Sequence, residues 1–167
     1  MIIPDDDAMV AAGRALARLL GPGDAVVLTG LLGAGKTTFT RGVAEGLGVA
    51  GPVNSPTFVI SRRHRGDRVD LVHCDAYRLG ADDDFADIVG DPEAVVTVVE
   101  WGESVMPAVA DGWLSIEISR SSGSGDEDRH VTICGVGPGW DDDRVEEVER
   151  AMGGTALSSP SKTPATG

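Results

Sequence analysis

Eight consecutive residues, Gly30-Leu31-Leu32-Gly33-Ala34-Gly35-Lys36-Thr37, have types and spacing suited to holding phosphate. They fit the pattern GxxxxGK[ST]. Successive backbone N–H groups in such a loop converge on phosphate oxygens, and its glycines permit the positive φ and close approach that a Cβ would block. Lys36 supplies a point charge for β- and γ-phosphates, and the Thr37 hydroxyl is a hard oxygen ligand for Mg²⁺. Gly33, Ala34, Gly35 and Thr38 complete the expected nucleotide-contacting set. Twelve of the 14 basic residues are arginine. A chain that otherwise uses Arg thus has Lys where a compact ammonium suits the loop.

Phosphate chemistry also needs an acid at the end of a neighbouring buried strand, to hold Mg²⁺ and to orient water. Two apolar runs end that way, VVTVVE at Glu100 and LVHCD at Asp75. Either acid suits the role. The more continuous run before Glu100 fits a central strand, so Glu100 is expected to share the metal with Thr37, and Asp75 to orient the attacking water or couple the switch segment. Asn54-Ser55-Pro56-Thr57-Phe58 brings hydroxyls that can sense a γ-phosphate, Thr57 foremost, although the segment also reads as a plain proline turn. Trp101 is either a core aromatic or a lid on the site. His73 and Cys74 lack metal-ligand spacing and read as buried strand positions. Arg62, Arg63, His64, Arg65 and Arg68 form a basic concentration, equally a docking patch for RNA or an acidic partner and a solvated hairpin face. The chain has no Gln and a single Asn, Asn54, which removes an NKxD-type guanine reader and favours an adenine nucleotide.

The elements that must position these residues follow from periodicity. Met9, Ala12, Leu16, Leu19 and Leu20 recur at helical spacing behind acidic residues, an opening helix stopped at Gly21-Pro22-Gly23. DAVVLTG is a strand leading into the glycine loop, and KTTFTRGVAEGLG is the helix that follows it. TFVISRRHR and VDLVHCD read as two strands around Gly66-Asp67, DDDFADIV as a short helix, and VVTVVE as a fully buried strand. WLSIEIS and HVTICGV read as strands joined by the hairpin loop SSGSGDED. The sum is an α/β fold, a P-loop NTPase-like mixed sheet flanked by helices.

The length of 167 residues fits a single domain. We expect a P-loop domain over 1–139, an acidic helix over 140–152 with a thin apolar stripe (Val145, Val148, Met152) that docks loosely or not at all, and a disordered tail over 153–167. The tail is expected to be dispensable for folding and ATP binding. A net charge of −13 argues against nucleic-acid binding through a broad basic surface. No apolar run approaches the roughly 18 residues of a membrane span, and MIIPDDD lacks the features of a secretory signal. Two cysteines are too few for a disulfide framework. A cytoplasmic, monomeric chain is the expectation.

Four segments, GLLGAGKTT, VNSPTF, HCDAYRL and VEWGE, in this order and spacing, resemble the TsaE (YjeE) family. The similarity runs from about Ile3 to Val136. It implies an ATPase that binds ATP and Mg²⁺, turns over slowly alone, and works with the TsaD and TsaB proteins in forming threonylcarbamoyladenosine on tRNA, which it meets only through that complex. By resemblance, Lys36 and Thr37 are the phosphate and magnesium residues and Glu100 the second magnesium-site acid. Asp75 is a required acid, Thr57 belongs to a switch-like segment, and Trp101 is site-adjacent. The sequence departs from the family at Leu31, where an acid is common, and at Gly102, where proline is frequent. Other readings of the same loop are a small P-loop kinase and an ATP-sensing module without turnover. A kinase needs an arginine-bearing lid, for which RRHRGDR is short.

Overall fold

The structure is a computed structural model that describes residues 1–79, 85–120 and 128–153. Its strands are β1 (Ile2–Ile3), β2 (Ala25–Thr29), β3 (Ser61–His64), β4 (Asp70–Asp75), β5 (Val95–Glu100), β6 (Trp113–Arg120) and β7 (Arg129–Val136). Its helices are α1 (Asp6–Ala17), α2 (Lys36–Gly46), α3 (Phe85–Val89) and α4 (Asp142–Ala151). The strands form one sheet in the order β1-β7-β6-β2-β5-β4-β3. β6, β2, β5 and β4 run parallel, and β7, β1 and β3 close the edges antiparallel. This is the mixed α/β sheet expected, and all six residues of β5 are buried in its middle.

Alternation along the strands divides the core in two. Leu28, Leu71, Val96, Val98 and Ile116 point to the face covered by α1, α2 and α4, where Met9, Leu16, Phe39 and Val43 meet them. Val27, Val72, Cys74, Val95 and Val99 point to the other face, under Phe85, Val89 and Met106. The odd residues of β4 and the even residues of β5 therefore share the α2 side. This face includes His73, Asp75 and Glu100.

Helices α1 and α2 lie close together because small residues line their contact. A Cβ on Gly42 would come within 2.1 Å of the Val10 carbonyl, and one on Gly13 within 2.3 Å of the Phe39 carbonyl. The acidic helix α4 is seated on the sheet: Val148 is fully buried, and Trp140 and Met152 are nearly so in the larger core. Arg144 ties its first turn to Asp24 at 2.7 Å and stacks on Trp140.

The expected strand TFVISRRHR is only half a strand. Thr57–Ile60 fold into a turn, because the Pro56 carbonyl accepts the amides of both Val59 (2.8 Å) and Ile60 (2.7 Å). Ile60 then adopts φ 66°, costly for a β-branched residue, before pairing begins at Ser61. The two-residue β1 lacks the length to show a period and was not expected. The SSGSGDED loop, the acids before α3 and the chain beyond Gly153 fall outside the described residues, apart from Asp128.

Candidate nucleotide site

Helices α1 and α4 are both capped by an aspartate, Asp5 accepting from the Ala8 amide and Asp141 from the Arg144 amide. Helix α2 differs. Its cap is Gly35 at φ 117°, which has no side chain to offer, so the first amides of α2 stay open to an anion. The loop leading into it can take this path only through glycine at its base: Gly30 sits at φ 134°, where a Cβ would be 2.0 Å from the Ile118 carbonyl. The residue types of the loop thus produce an uncapped helix N-terminus at the end of a buried strand.

In front of it lies a cavity of about 290 Å³, lined by Gly33, Gly35, Lys36, Thr37, Thr38, Thr57, Asp75, Glu100 and Trp101 among others. Nine of the ten residues singled out from the sequence meet there. Ala34 does not reach it: its side chain is buried in the core, and its amide donates to the Leu31 carbonyl at 3.0 Å.

Lys36 as a residue is 5% exposed; its ammonium donates to the carbonyls of Gly30 (2.7 Å) and Leu31 (3.1 Å) and lies 3.9 Å above the Trp101 ring. Burial pulls its pKa below the ordinary 10.5, and the charges of Glu100 and Asp75 oppose that pull. These two acids end parallel strands in register, Asp75 beside Glu100, and are 5% and 4% exposed. Two buried carboxyl groups on neighbouring strand ends are hard oxygen donors of the kind that suits a cation.

Each acid is held differently. Glu100 Oε1 accepts from the Thr37 hydroxyl at 2.9 Å and faces His73 Nε2 at 2.9 Å. Asp75 Oδ2 accepts from Thr57 at 2.6 Å, while its Oδ1 accepts the Tyr77 amide at 3.0 Å. Ser55 joins this second group through Thr57 at 2.6 Å. The Ser55–Thr57 segment is therefore latched to Asp75, and Thr37 to Glu100. Sequence reasoning did not place His73 or Tyr77 at the site. The signal available was period two along β4, which puts His73 on the face of Asp75.

Trp101 is neither plain core nor a free lid. It leaves β5 at φ 62°, with its amide on the Leu28 carbonyl at 3.0 Å, and its ring meets Tyr77 at 5.5 Å between centroids. Gly102 follows where a Cβ would strike Val99 Cγ1 at 2.3 Å, so a proline there would require this turn to be rebuilt. The exposed arginines Arg62 and Arg63 lie on β3, the sheet edge, where charge discourages pairing with other chains.

A strand, a glycine loop, an uncapped helix beginning at a lysine, and a strand-end acid bonded to the adjacent threonine define a P-loop NTPase-like fold. The family model for threonylcarbamoyl adenosine biosynthesis protein TsaE matches residues 3–131, and the chain belongs to the TsaE family. It is 52% identical over 134 residues to the tRNA threonylcarbamoyladenosine biosynthesis protein TsaE of Streptomyces coelicolor, covering 77% of this chain and 90% of that protein. It is 39% identical over 131 residues to the Bacillus subtilis protein of the same name, covering 76% and 79%. The crystal structure of YdiB from Bacillus subtilis superimposes with a TM-score of 0.72 at 32% identity, covering 90% of this chain and 93% of that one.

Proposed function

We propose that this protein binds ATP with Mg²⁺ at the α2 cavity and hydrolyses it as the ATPase component of tRNA threonylcarbamoyladenosine biosynthesis, slowly alone and faster with the TsaD and TsaB proteins. The observation that carries the reading is the Thr37–Glu100 hydrogen bond beside Lys36, at the mouth of an uncapped helix. Thr37 donates its proton to Glu100 and so keeps its lone pairs for a cation. Hard oxygens from a hydroxyl and a carboxylate suit Mg²⁺. With two protein oxygens, such an ion would be completed by phosphate oxygens and water. Mg²⁺, when bound, would neutralise charge on the phosphates.

The chain's own residues divide the remaining tasks. The open amides of α2 and the Lys36 ammonium bind phosphate oxygens, and Lys36 exchanges its bonds to Gly30 and Leu31 for them. Asp75 accepts a proton-bearing oxygen and is placed to orient water, with Thr57 and Ser55 reporting on the γ-phosphate. Trp101 covers Lys36 and limits access of solvent. No helix among the described residues is long and apolar enough to cross a membrane; the cytoplasmic site of action is part of the proposal and rests on the tRNA-modification family.

Phosphate release from ATP by the full chain, measured alone and with TsaB and TsaD, tests the reading. Stimulated release is expected. Absence of release under both conditions, with ATP still bound, would leave only a nucleotide sensor, and phosphate transfer to a small acceptor would make the protein a kinase.

A further inference from the structure

His73 is completely buried on β4. Its Nε2 lies 2.9 Å from Glu100 Oε1, and its Nδ1 has no hydrogen-bond partner. A histidine merely filling the core has no reason to spend one nitrogen on a strand-end acid that also holds Thr37. The orphaned Nδ1 settles where the ring proton belongs. A buried N–H without an acceptor is rarely tolerated, whereas an under-used acceptor is less costly, so the proton sits on Nε2 and is donated to Glu100. Both donors to Glu100, Thr37 and His73, therefore converge on the same oxygen. That leaves Oε2 as the carboxylate oxygen available to a ligand.

We propose that His73 is a positioning residue for the cation site: through Nε2–H it fixes the Glu100 carboxylate so that Thr37 and Glu100 present their free lone pairs to one ion. The proposal rests on the reading of Thr37 and Glu100 as magnesium residues. Its geometric basis is the parallel register. His73 pairs with Val98, so it stands one step behind Asp75 and reaches Glu100 diagonally across two adjacent central strands. Supporting groups of this kind typically change metal affinity or activity 10–100-fold when removed.

The test uses the full chain and calorimetric titration of ATP with Mg²⁺ or with EDTA, alongside thermal melting. Glu100→Ala should lose the Mg²⁺-dependent gain in ATP affinity. His73→Leu should lose about tenfold or more of that gain with ATP affinity in EDTA unchanged, and His73→Gln, whose amide nitrogen reaches the position of Nε2, should restore most of it. If His73→Leu does not fold, His73→Asn, too short to reach Glu100, replaces it in the comparison with His73→Gln. A second readout needs no cation: long-range ¹H–¹⁵N spectra of the unliganded protein should show His73 protonated at Nε2. Wild-type Mg²⁺ dependence in His73→Leu or His73→Asn, with Glu100→Ala impaired, overturns the role of His73, as does a ring found without a proton on Nε2. Full Mg²⁺ dependence in Glu100→Ala instead overturns the reading of Glu100 itself, and the proposal with it.

Discussion

Lys36 is bonded to the Gly30 and Leu31 carbonyls of its own loop, so in the proposed function its contribution to binding is a net exchange of carbonyl partners for phosphate oxygens. Hydrogen bonds to charged groups contribute about 1.5–3 kcal/mol, and Lys36→Ala should therefore weaken ATP binding by roughly one to two orders of magnitude in calorimetry. Unchanged affinity would remove the phosphate role of the loop. The two strand-end acids should separate by kind. Glu100, bonded to Thr37, should affect Mg²⁺-dependent binding and hydrolysis together when replaced by alanine. Asp75, latched to Thr57, should in the Asp75→Asn form keep most nucleotide affinity and lose mainly partner-stimulated turnover. Binding isotherms with and without Mg²⁺ beside steady-state rates distinguish the two, and the reverse pattern exchanges the assignments. At this scale most of the cavity's lining was legible, because GxxxxGK[ST] is one contiguous pattern in the sequence. His73 was not, because histidine in an apolar strand carries no motif, and only the register between β4 and β5 brings it to Glu100.

Among the elements, α2 and β5 were readable because hydrophobic period and flanking glycines agree with their final surroundings. The Thr57–Ile60 turn was not, since its apolar, β-branched residues favour a strand and a double hydrogen bond to the Pro56 carbonyl overrides that preference. The thin stripe on α4 suggested loose docking or none, yet the Trp140 and Arg144 stack and the Arg144–Asp24 pair supplement it. The close α1–α2 contact was equally hidden, because glycine in a helix reads as weakness rather than as a packing surface. A prediction follows at this contact. In an exposed helix Gly→Ala gains about 1 kcal/mol, but Gly42→Ala drives a methyl group into the Val10 carbonyl and should instead destabilise by about 1–3 kcal/mol. That corresponds to a fall in Tm of several degrees in a thermal melt. An unchanged or higher Tm would show that the two helices separate easily.

For the molecule as a whole, the β3–β4 hairpin sets an alkaline limit. Burial pushes the Cys74 thiol from an ordinary 9.0 up to about 11, partly opposed by the Ser61 hydroxyl, while Cys134 is exposed. In the unfolded chain Cys74 ionises near its ordinary value, so the native state binds the extra proton above that pH. Stability is then complete below about pH 9 and declines as pH rises towards 11. Denaturant unfolding at successive pH values should show this decline, and Cys74→Ala should flatten it. A thiol reagent should modify one cysteine rapidly in the native protein and both after unfolding.

The Lys36 ammonium 3.9 Å above the Trp101 ring has an optical consequence. A positive charge fixed over one face of an indole displaces its excited-state energy, and in the proposed binding mode that charge moves from the ring to a phosphate. The chain has three tryptophans. Trp140 is stacked on Arg144 well away in α4's first turn, and Trp113 begins β6, so neither shares the charge that moves. Nucleotide arrival should thus register as a change in intrinsic emission, absent in Trp101→Phe and in Lys36→Ala. The proposed nucleotide site would carry its own fluorescent indicator, readable in a stopped-flow trace without any added dye.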